Sequence, residues 1–328
     1  MGQIKTLAAL GLTAQGGRQA NITGLAVDSR EVKPGFLFAA LPGTKVHGAE
    51  FIQYALRQGA GAILTDATGA RLAQDFLSLS DAALVVAEDP RQTLAFAAAL
   101  WFGAQPETMV AVTGTNGKTS VATFIRQIWE RLGFSAVNLG TTGVEGAYSA
   151  PLGHTTPEPI TLHRMLAKCE LAGVTHGAME ASSHGLAQRR LDGVHLMAAG
   201  FTNFTQDHLD YHASFDEYFA AKAGLFARVL PEDGVAVINI DDPRGAEMAS
   251  IATERGQDLI TVGRAPGADL RLIAQRFDAT GQVLRFEWED DVNQLRLDLI
   301  GGFQAENVLL AAGLVIGAGA DAERVFEV

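Results

Sequence analysis

One cysteine in 328 residues, Cys169, rules out an internal disulfide framework, and a reducing compartment fits that scarcity. Cys169 sits in a plain helical pattern, which makes it a packing residue rather than a nucleophile. Positive charge is also scarce. Twenty-five lysines and arginines face 37 acidic residues, for a formal net charge of −12. With no basic cluster to offset this, a nucleic-acid partner is not expected. No run of about 18 apolar residues is free of charges, so no membrane span is expected. Met1 to Leu12 carries one lysine and a short Leu/Ala run, without a signal-like core and cleavage site. These absences predict a soluble, cytoplasmic protein.

What is present is a globular α/β composition. Apolar residues make up 48% and charged residues 19%, and there are 36 glycines. The length suggests two domains. Strand-like segments near Leu25–Asp28, Phe36–Ala40, Gly61–Thr65 and Leu84–Ala87 alternate with helical patterns near Ala49–Gln58 and Ala70–Leu77, predicting a small α/β domain over residues 1–88. Asp89 and Pro90 open a connecting helix over Arg91–Phe102. Residues 89–328 then alternate strand and helix, which predicts a mainly parallel sheet with helices on both faces. From about 269 to 299 three segments read as a small antiparallel sheet, followed by a last helix from about Gln304 to Ile316.

The chain is organised around Met109-Val-Ala-Val-Thr-Gly-Thr-Asn-Gly-Lys-Thr-Ser120. An apolar strand, a glycine turn and Lys-Thr at a helix start form a phosphate-binding loop. Glycines let backbone N–H groups crowd phosphate oxygens, and the helix dipole favours the anion. Lys118 would reach the β- and γ-phosphates, and the Thr119 hydroxyl would hold Mg²⁺. The general pattern asks for glycine at position 112, where this chain has Val112, so the loop is a narrower variant.

Other candidates follow strands, at the edge where open α/β sheets bind ligands. Glu180, in Ala178-Met-Glu-Ala-Ser-Ser-His-Gly185, is either a metal ligand or water-positioning acid, or a solvated surface carboxylate. Asp207-His-Leu-Asp-Tyr-His212 is unusually dense in ligand types; its plain alternative is a polar loop with capping residues. Lys222 falls on the apolar stripe of Phe215, Tyr218, Phe219 and Phe226. Such a lysine snorkels or pairs with an acid; the chemical alternative is a carbamate able to bind Mg²⁺. Asn21-Ile-Thr and Asn203-Phe-Thr match a glycosylation pattern that a cytoplasmic chain would not use.

Several motifs in order resemble the Mur ligases, and among them most closely the MurE type. They are Thr113 to Ser120, His154-Thr-Thr-Pro157, Met179 to Arg190, Asp207 to His212 with Lys222, and Gly302-Phe-Gln-Ala-Glu-Asn307. Val27-Asp-Ser-Arg30, Pro34-Gly35 and Phe38 to Gly43 carry the likeness into the first domain.

The resemblance implies an ATP-dependent amide ligase of peptidoglycan synthesis. It would add a diamino acid, meso-diaminopimelate or L-lysine, to UDP-N-acetylmuramoyl-L-alanyl-D-glutamate through an acyl phosphate. It implies that Val27, Ser29, Thr44, Lys45 and Val46 bind the uridine end, and that His154, Thr155, Thr156, Ser182, Gln188 and Arg190 hold the rest. Gly114, Thr115, Asn116, Gly117, Lys118, Thr119 and Ser120 would bind the ATP phosphates, with Asn307 near the adenine. Thr119 would hold one Mg²⁺, and Glu180, His208 and a carbamylated Lys222 a second; Lys118, Lys222, Glu180 and His208 form the implied catalytic set. A monomer is the family's default.

MurE-type enzymes carry a third, amino-acid-binding domain beyond the helix containing Asn307. Its absence before Val328 predicts a truncated portion unable to complete ligation. Asp241-Asp-Pro-Arg244 is superficially like the amino-acid-selecting motif of that domain but lies in the central one. The competing expectations are a MurF-type enzyme or folylpolyglutamate synthetase, and a non-catalytic module that binds UDP-muramoyl precursors. A simple P-loop kinase leaves residues 1–88 unexplained.

Overall fold

A computed structural model describes residues 3–43, 45–205 and 214–328. Its contacts divide the chain into two units. The first comprises Met1–Ala104, Glu158–Met165 and Gln188–Gly193; the second comprises Gln105–Pro157, Leu166–Ala187 and Val194–Val328.

Unit 1 opens with a short antiparallel pair, β1 (Lys5–Thr6) and β2 (Asn21–Ile22). A four-stranded parallel sheet follows, β3 (Gly24–Ala26), β4 (Phe36–Ala39), β5 (Ala62–Thr65) and β6 (Ala83–Val86), in that spatial order. Its central strands read Phe-Leu-Phe-Ala and Ala-Ile-Leu-Thr, the unbroken apolar runs of a parallel sheet covered on both faces. Alternation splits them between two cores. Leu37 and Leu64 pack with Leu7, Leu94 and Trp101; Phe38 and Ile63 pack with Ile52 and Ala55.

The helices of unit 1 are α1 (Ile52–Arg57), α2 (Ala67–Leu72), α3 (Gln74–Ser78) and α4 (Pro90–Phe102). The single helix expected over Ala70–Leu77 is two, broken at Ala73. The first turn of the helix expected from Ala49 is 3₁₀, Gly48–Phe51, with His47 Nδ1 accepting from the Ala49 N–H. Asp89 accepts from the Gln92 N–H and Pro90 occupies the first turn of α4, as the sequence predicts. The sequence pattern places the start of the second domain at residue 89. Packing instead carries α4 into unit 1, because Leu94, Ala97, Ala98 and Trp101 complete one of its cores.

Unit 2 is built on a ten-stranded sheet. Its elements in chain order begin β7 (Thr108–Thr113), α5 (Lys118–Arg131), β8 (Ala136–Gly140), β9 (Gly143–Gly146) and α6 (Pro159–Leu171), whose opening turns count with unit 1. Next come β10 (His176–Glu180), α7 (Ser183–Ala187), β11 (Ala198–Phe201), α8 (Phe215–Gly224), β12 (Val235–Asn239), α9 (Gly245–Glu254) and β13 (Asp258–Gly263). The chain closes with β14 (Leu270–Phe277), β15 (Gln282–Trp288), β16 (Asp291–Leu297), α10 (Phe303–Gly317) and α11 (Ala322–Glu327).

The spatial order is β16-β15-β14-β13-β12-β11-β7-β10-β8-β9, with parallel pairing from β14 through to β8. The α/β class expected from the alternating pattern therefore holds. The antiparallel strands β15 and β16 extend this same sheet rather than forming a separate one. Helix α10 is apolar nearly all round and buried along Leu309–Val315, packing with α5 over Val110, Val112 and Val237. Cys169 is fully buried, and burial pushes its thiol up to about 11, which fits packing rather than reactivity. No described helix is long and apolar enough to cross a membrane.

In unit 1, His163 is 2% exposed and its Nε2 has no hydrogen-bond partner. Burial holds its pKa down at about 4, below the ordinary 6.5. The unfolded chain therefore takes up this proton first as pH falls. Stability is lost between pH 6.5 and 4, by roughly 3 kcal/mol in total. Urea denaturation at several pH values across this window should show that slope, and His163→Leu should remove its share. Parallel slopes for the two proteins would refute the assignment.

Candidate functional site

Strand β7 lies inside the parallel part of the large sheet, with parallel neighbours β11 and β10 on its two sides. Val112 aligns with Glu180 of β10, and Thr113 with Phe201 of β11. The three strands therefore end level, and Gly114, Ala181 and Thr202 follow side by side at the edge where ligands bind.

Gly114 has φ +147°, and a Cβ there would lie 1.8 Å from Thr202 Oγ1, so only glycine fits. The loop is fastened to the segment after β11. The Thr115 N–H donates to Asn203 O at 2.9 Å and the Asn116 N–H to Asn203 Oδ1 at 2.9 Å. The Thr202 hydroxyl donates to Asn116 O at 2.6 Å. Asn203, part of the apparent glycosylation signal, is thus a support of the loop. Its position directly after an apolar strand was the available clue.

Two lysines converge on this turn. Lys118 Nζ donates to Gly114 O at 2.8 Å and Thr115 O at 2.9 Å. Lys222 Nζ, from α8, donates to the same Gly114 oxygen at 2.7 Å and lies 4.5 Å from the centre of the Tyr218 ring. Lys222 is 1% exposed, so it does not snorkel to solvent. Gly117 supplies no side-chain cap to α5, whose opening N–H groups have no intrahelical acceptors. Beside the loop is a cavity of about 630 Å³, lined by Asn116, Gly117, Ser120, Asn239, Phe303 and Asn307 among others. Asn307 lies against Gly117 and donates from Nδ2 to Gln304 Oε1 at 3.2 Å. Glu306 also lines this cavity; burial raises its carboxyl above the usual range, partly offset by Arg264 at 3.5 Å.

Glu180 ends β10 and is 2% exposed. Its Oε1 accepts from the Thr141 N–H at 2.9 Å. The Thr156 hydroxyl donates to Glu180 O at 2.8 Å and accepts from the Ser182 N–H at 3.1 Å. The Thr141 and Thr155 hydroxyls are 3.0 Å apart. Thr155, Thr156, Glu180 and Ser182 are therefore gathered by hydrogen bonds, whereas His154 is exposed. Thr141, in the tight turn between β8 and β9, is the member the sequence did not reveal. The residues from Ser183 form α7, with Ser182 Oγ accepting from the Gly185 N–H at 3.0 Å.

A Mg²⁺ ion takes hard oxygen donors. The Thr119 hydroxyl and the Glu180 carboxylate are of that type; an ammonium at Lys222 is not. Among the described residues no three His, Cys, Asp or Glu side chains cluster as a metal site. His208 and Thr44 lie outside the described residues. Asp241 and Asp242 are occupied in turns: Asp241 accepts from the Arg264 and Ala265 N–H groups, and Asp242 from those of Phe204 and Arg244.

In unit 1, a cavity of about 800 Å³ is lined by Val27, Ser29, Leu41, Val46, Phe51 and Tyr54 among others. The structure thus brings Val27, Ser29 and Val46 together, while Lys45 is exposed and not among the lining residues. Phe51 and Tyr54, exposed at 48% and 45%, are rim aromatics that helical spacing had marked only as part of a helix. Gln188 and Arg190 also belong to unit 1, where Arg190 donates to Gln188 Oε1 at 2.8 Å.

A Cβ added at Gly140 would lie 1.9 Å from Glu180 Oε1. Gly140→Ala should displace this buried carboxylate and destabilise the protein by about 1–3 kcal/mol. Urea denaturation measures this; a change under about 0.5 kcal/mol would mean the carboxylate swings aside freely.

Comparison with known proteins accounts for both units. Residues 112–315 match the Mur ligase middle domain, and residues 21–100 match the catalytic domain of the Mur ligase family. A UDP-N-acetylmuramoyl-L-alanyl-D-glutamate–2,6-diaminopimelate ligase of Caulobacter vibrioides is 48% identical over 93% of this chain and 63% of its own length. The ligase of the same name from Brucella melitensis is 47% identical over 93% of this chain and 61% of its own. The chain therefore spans somewhat over three fifths of these relatives. A solved structure of a ligase with this name superposes with a TM-score of 0.84 at 28% identity, covering 99% of this chain and 66% of that one. MurF from Acinetobacter baumannii shares the fold, with a TM-score of 0.63 at 19% identity over 98% of this chain and 66% of that one. By this match over most of its length, the chain belongs to the Mur ligase family.

Proposed function

We propose that this chain is the precursor- and nucleotide-binding portion of a MurE-type ligase. Such an enzyme joins 2,6-diaminopimelate to UDP-N-acetylmuramoyl-L-alanyl-D-glutamate with consumption of ATP. The observation that carries the reading is Lys118 at the glycine turn that opens α5, beside a cavity lined by Asn116, Gly117, Ser120 and Asn307. Its ammonium and the uncapped helix N–H groups favour an anion there. The names of the relatives support diaminopimelate over lysine as the added residue.

A carboxylate is a poor acylating agent, because its leaving group would be oxide. Transfer of the ATP γ-phosphoryl to the D-glutamate side chain gives an acyl phosphate. The incoming amine attacks that carbonyl, and the tetrahedral intermediate expels phosphate. The first step brings two anions together. Lys118 neutralises phosphate charge there, and the loop N–H groups orient the phosphates. Thr119 would hold one Mg²⁺, and Glu180 with His208 a second; the ions would add further neutralisation of phosphate charge.

Lys222 fits this set only as a carbamate. Its ammonium first loses a proton. The neutral amine then adds to CO₂ with loss of a second proton, which leaves an anionic oxygen donor in a buried place. Val27, Ser29 and the Phe51 and Tyr54 rim would receive the uridine end, and Gln188 and Arg190 the anionic peptide end. His154, Thr155, Thr156 and Ser182 would hold other parts of the same substrate.

Calorimetric titration with UDP-N-acetylmuramoyl-L-alanyl-D-glutamate should give micromolar-range binding, weakened about tenfold or more by Ser29→Ala and by Arg190→Ala. Lys118→Ala should weaken ATP in a parallel titration while leaving the precursor unaffected. A folded chain that binds the MurF-type tripeptide precursor in preference would overturn the MurE assignment.

A further inference from the structure

The segment Gln188–Gly193 belongs to unit 1, although its neighbours in sequence on both sides belong to unit 2. It is fastened there by a chain of polar contacts. Arg189 Nε donates to Asp89 Oδ2 at 2.7 Å. Asp89 uses its other oxygen, Oδ1, to accept from the Gln92 N–H at 3.0 Å, capping α4. Gln92 Nε2 in turn donates to Asp192 Oδ2 at 2.9 Å, and Asp192 is 8% exposed. Both ends of the segment are therefore tied to the first turn of one helix.

The backbone between those ties is not relaxed. Arg189 has φ +59°, a left-handed conformation that a long side chain rarely adopts. A strained residue persists where its surroundings over-determine it. Here the surroundings are the Asp89 carboxylate on one side and the Asp192–Gln92 bond on the other. Turning Arg189 toward Asp89 leaves its two neighbours, Gln188 and Arg190, paired with each other. The Asp89–Arg189 pair is about one-third exposed, and pairs of that exposure contribute little to global stability. Its role is to fix where the segment sits.

We propose that Asp89 and Arg189 are positioning residues. They hold Gln188 and Arg190 in the conformation that receives the anionic peptide end of the precursor, and so set affinity for that substrate without affecting ATP. This rests on the reading under Proposed function. Neither residue belongs to the set implied to touch substrate, and Asp89 had figured only as a helix cap.

Asp89→Asn separates the two roles of the residue. Asparagine caps as well as aspartate, but the cap oxygen is then its single acceptor, and an amide N–H₂ faces the Arg189 guanidinium. Arg189→Gly removes the guanidinium and relieves the left-handed strain; Arg189→Lys keeps the charge. In hydrogen–deuterium exchange of the ligand-free protein, amides 188–193 should exchange about tenfold faster in Asp89→Asn, with the β4 and β5 amides unchanged. In calorimetry, precursor affinity should fall about tenfold in Asp89→Asn and Arg189→Gly, with ATP affinity within about twofold of the parent. Arg189→Lys should recover most of the loss.

Unchanged exchange, or precursor affinity within about twofold of the parent in both variants, would overturn the proposal. Equal loss of ATP affinity would also overturn it, since that marks general damage. A parent chain that binds no precursor sinks the functional reading and the affinity claim with it. A binding parent with indifferent variants sinks the positioning claim alone.

Discussion

Two ammonium groups share one carbonyl oxygen at the turn after β7, and much of unit 2 is arranged to make this possible. Lys118 and Lys222 each lie within 2.8 Å of Gly114 O, so their nitrogens can be no further apart than the sum of two hydrogen bonds. At that separation like charges repel by a few kcal/mol even at an effective dielectric of about 20. The carbonyl dipole and the further interactions of both lysines share in offsetting it. Gly114 permits the geometry because it has no Cβ to strike Thr202. Asn203 holds the loop in place, and α8 delivers Lys222 from a distant part of the chain.

The parts of this arrangement that follow local rules were legible in the sequence. Strand β7, the glycine turn and α5 announce themselves by an apolar run, by Gly-Thr-Asn-Gly and by a helical stripe, and each lies where those signals put it. The same holds for the Asp89–Pro90 start of α4. What stayed hidden depends on tertiary pairing. Thr141 looks like any turn residue until parallel pairing of β8 and β10 brings its N–H to Glu180. Lys222 shows that a cation sits on an apolar stripe, but the stripe cannot say what it will meet there. Its acceptor, Gly114 O, is 108 residues away.

The Asp241-Asp-Pro-Arg244 segment teaches the converse. Its resemblance to a substrate-selecting motif lies in residue types, while its carboxylates are occupied by backbone N–H groups of neighbouring turns. Each of those oxygens takes one donor, and so does each oxygen of Glu180, which accepts from the N–H and the hydroxyl of Thr141. What sets Glu180 apart is its deeper burial at the end of β10.

The discontinuity of unit 1 bears on how the chain is made. Its contact set includes Glu158–Met165 and Gln188–Gly193, so it is incomplete when a ribosome has delivered only the residues up to Ala104. Ile160 belongs to the same core as Leu37 and Trp101, and Asp192 has yet to meet Gln92. Domains ordinarily fold as they emerge, N-terminal first. Here the first to emerge must remain unfinished while β7, α5 and β8, the start of the second sheet, are already being synthesised. Unit 1 can be completed only once Gly193 has emerged, by which point β7, β8, β9 and β10 of the second sheet have also been made.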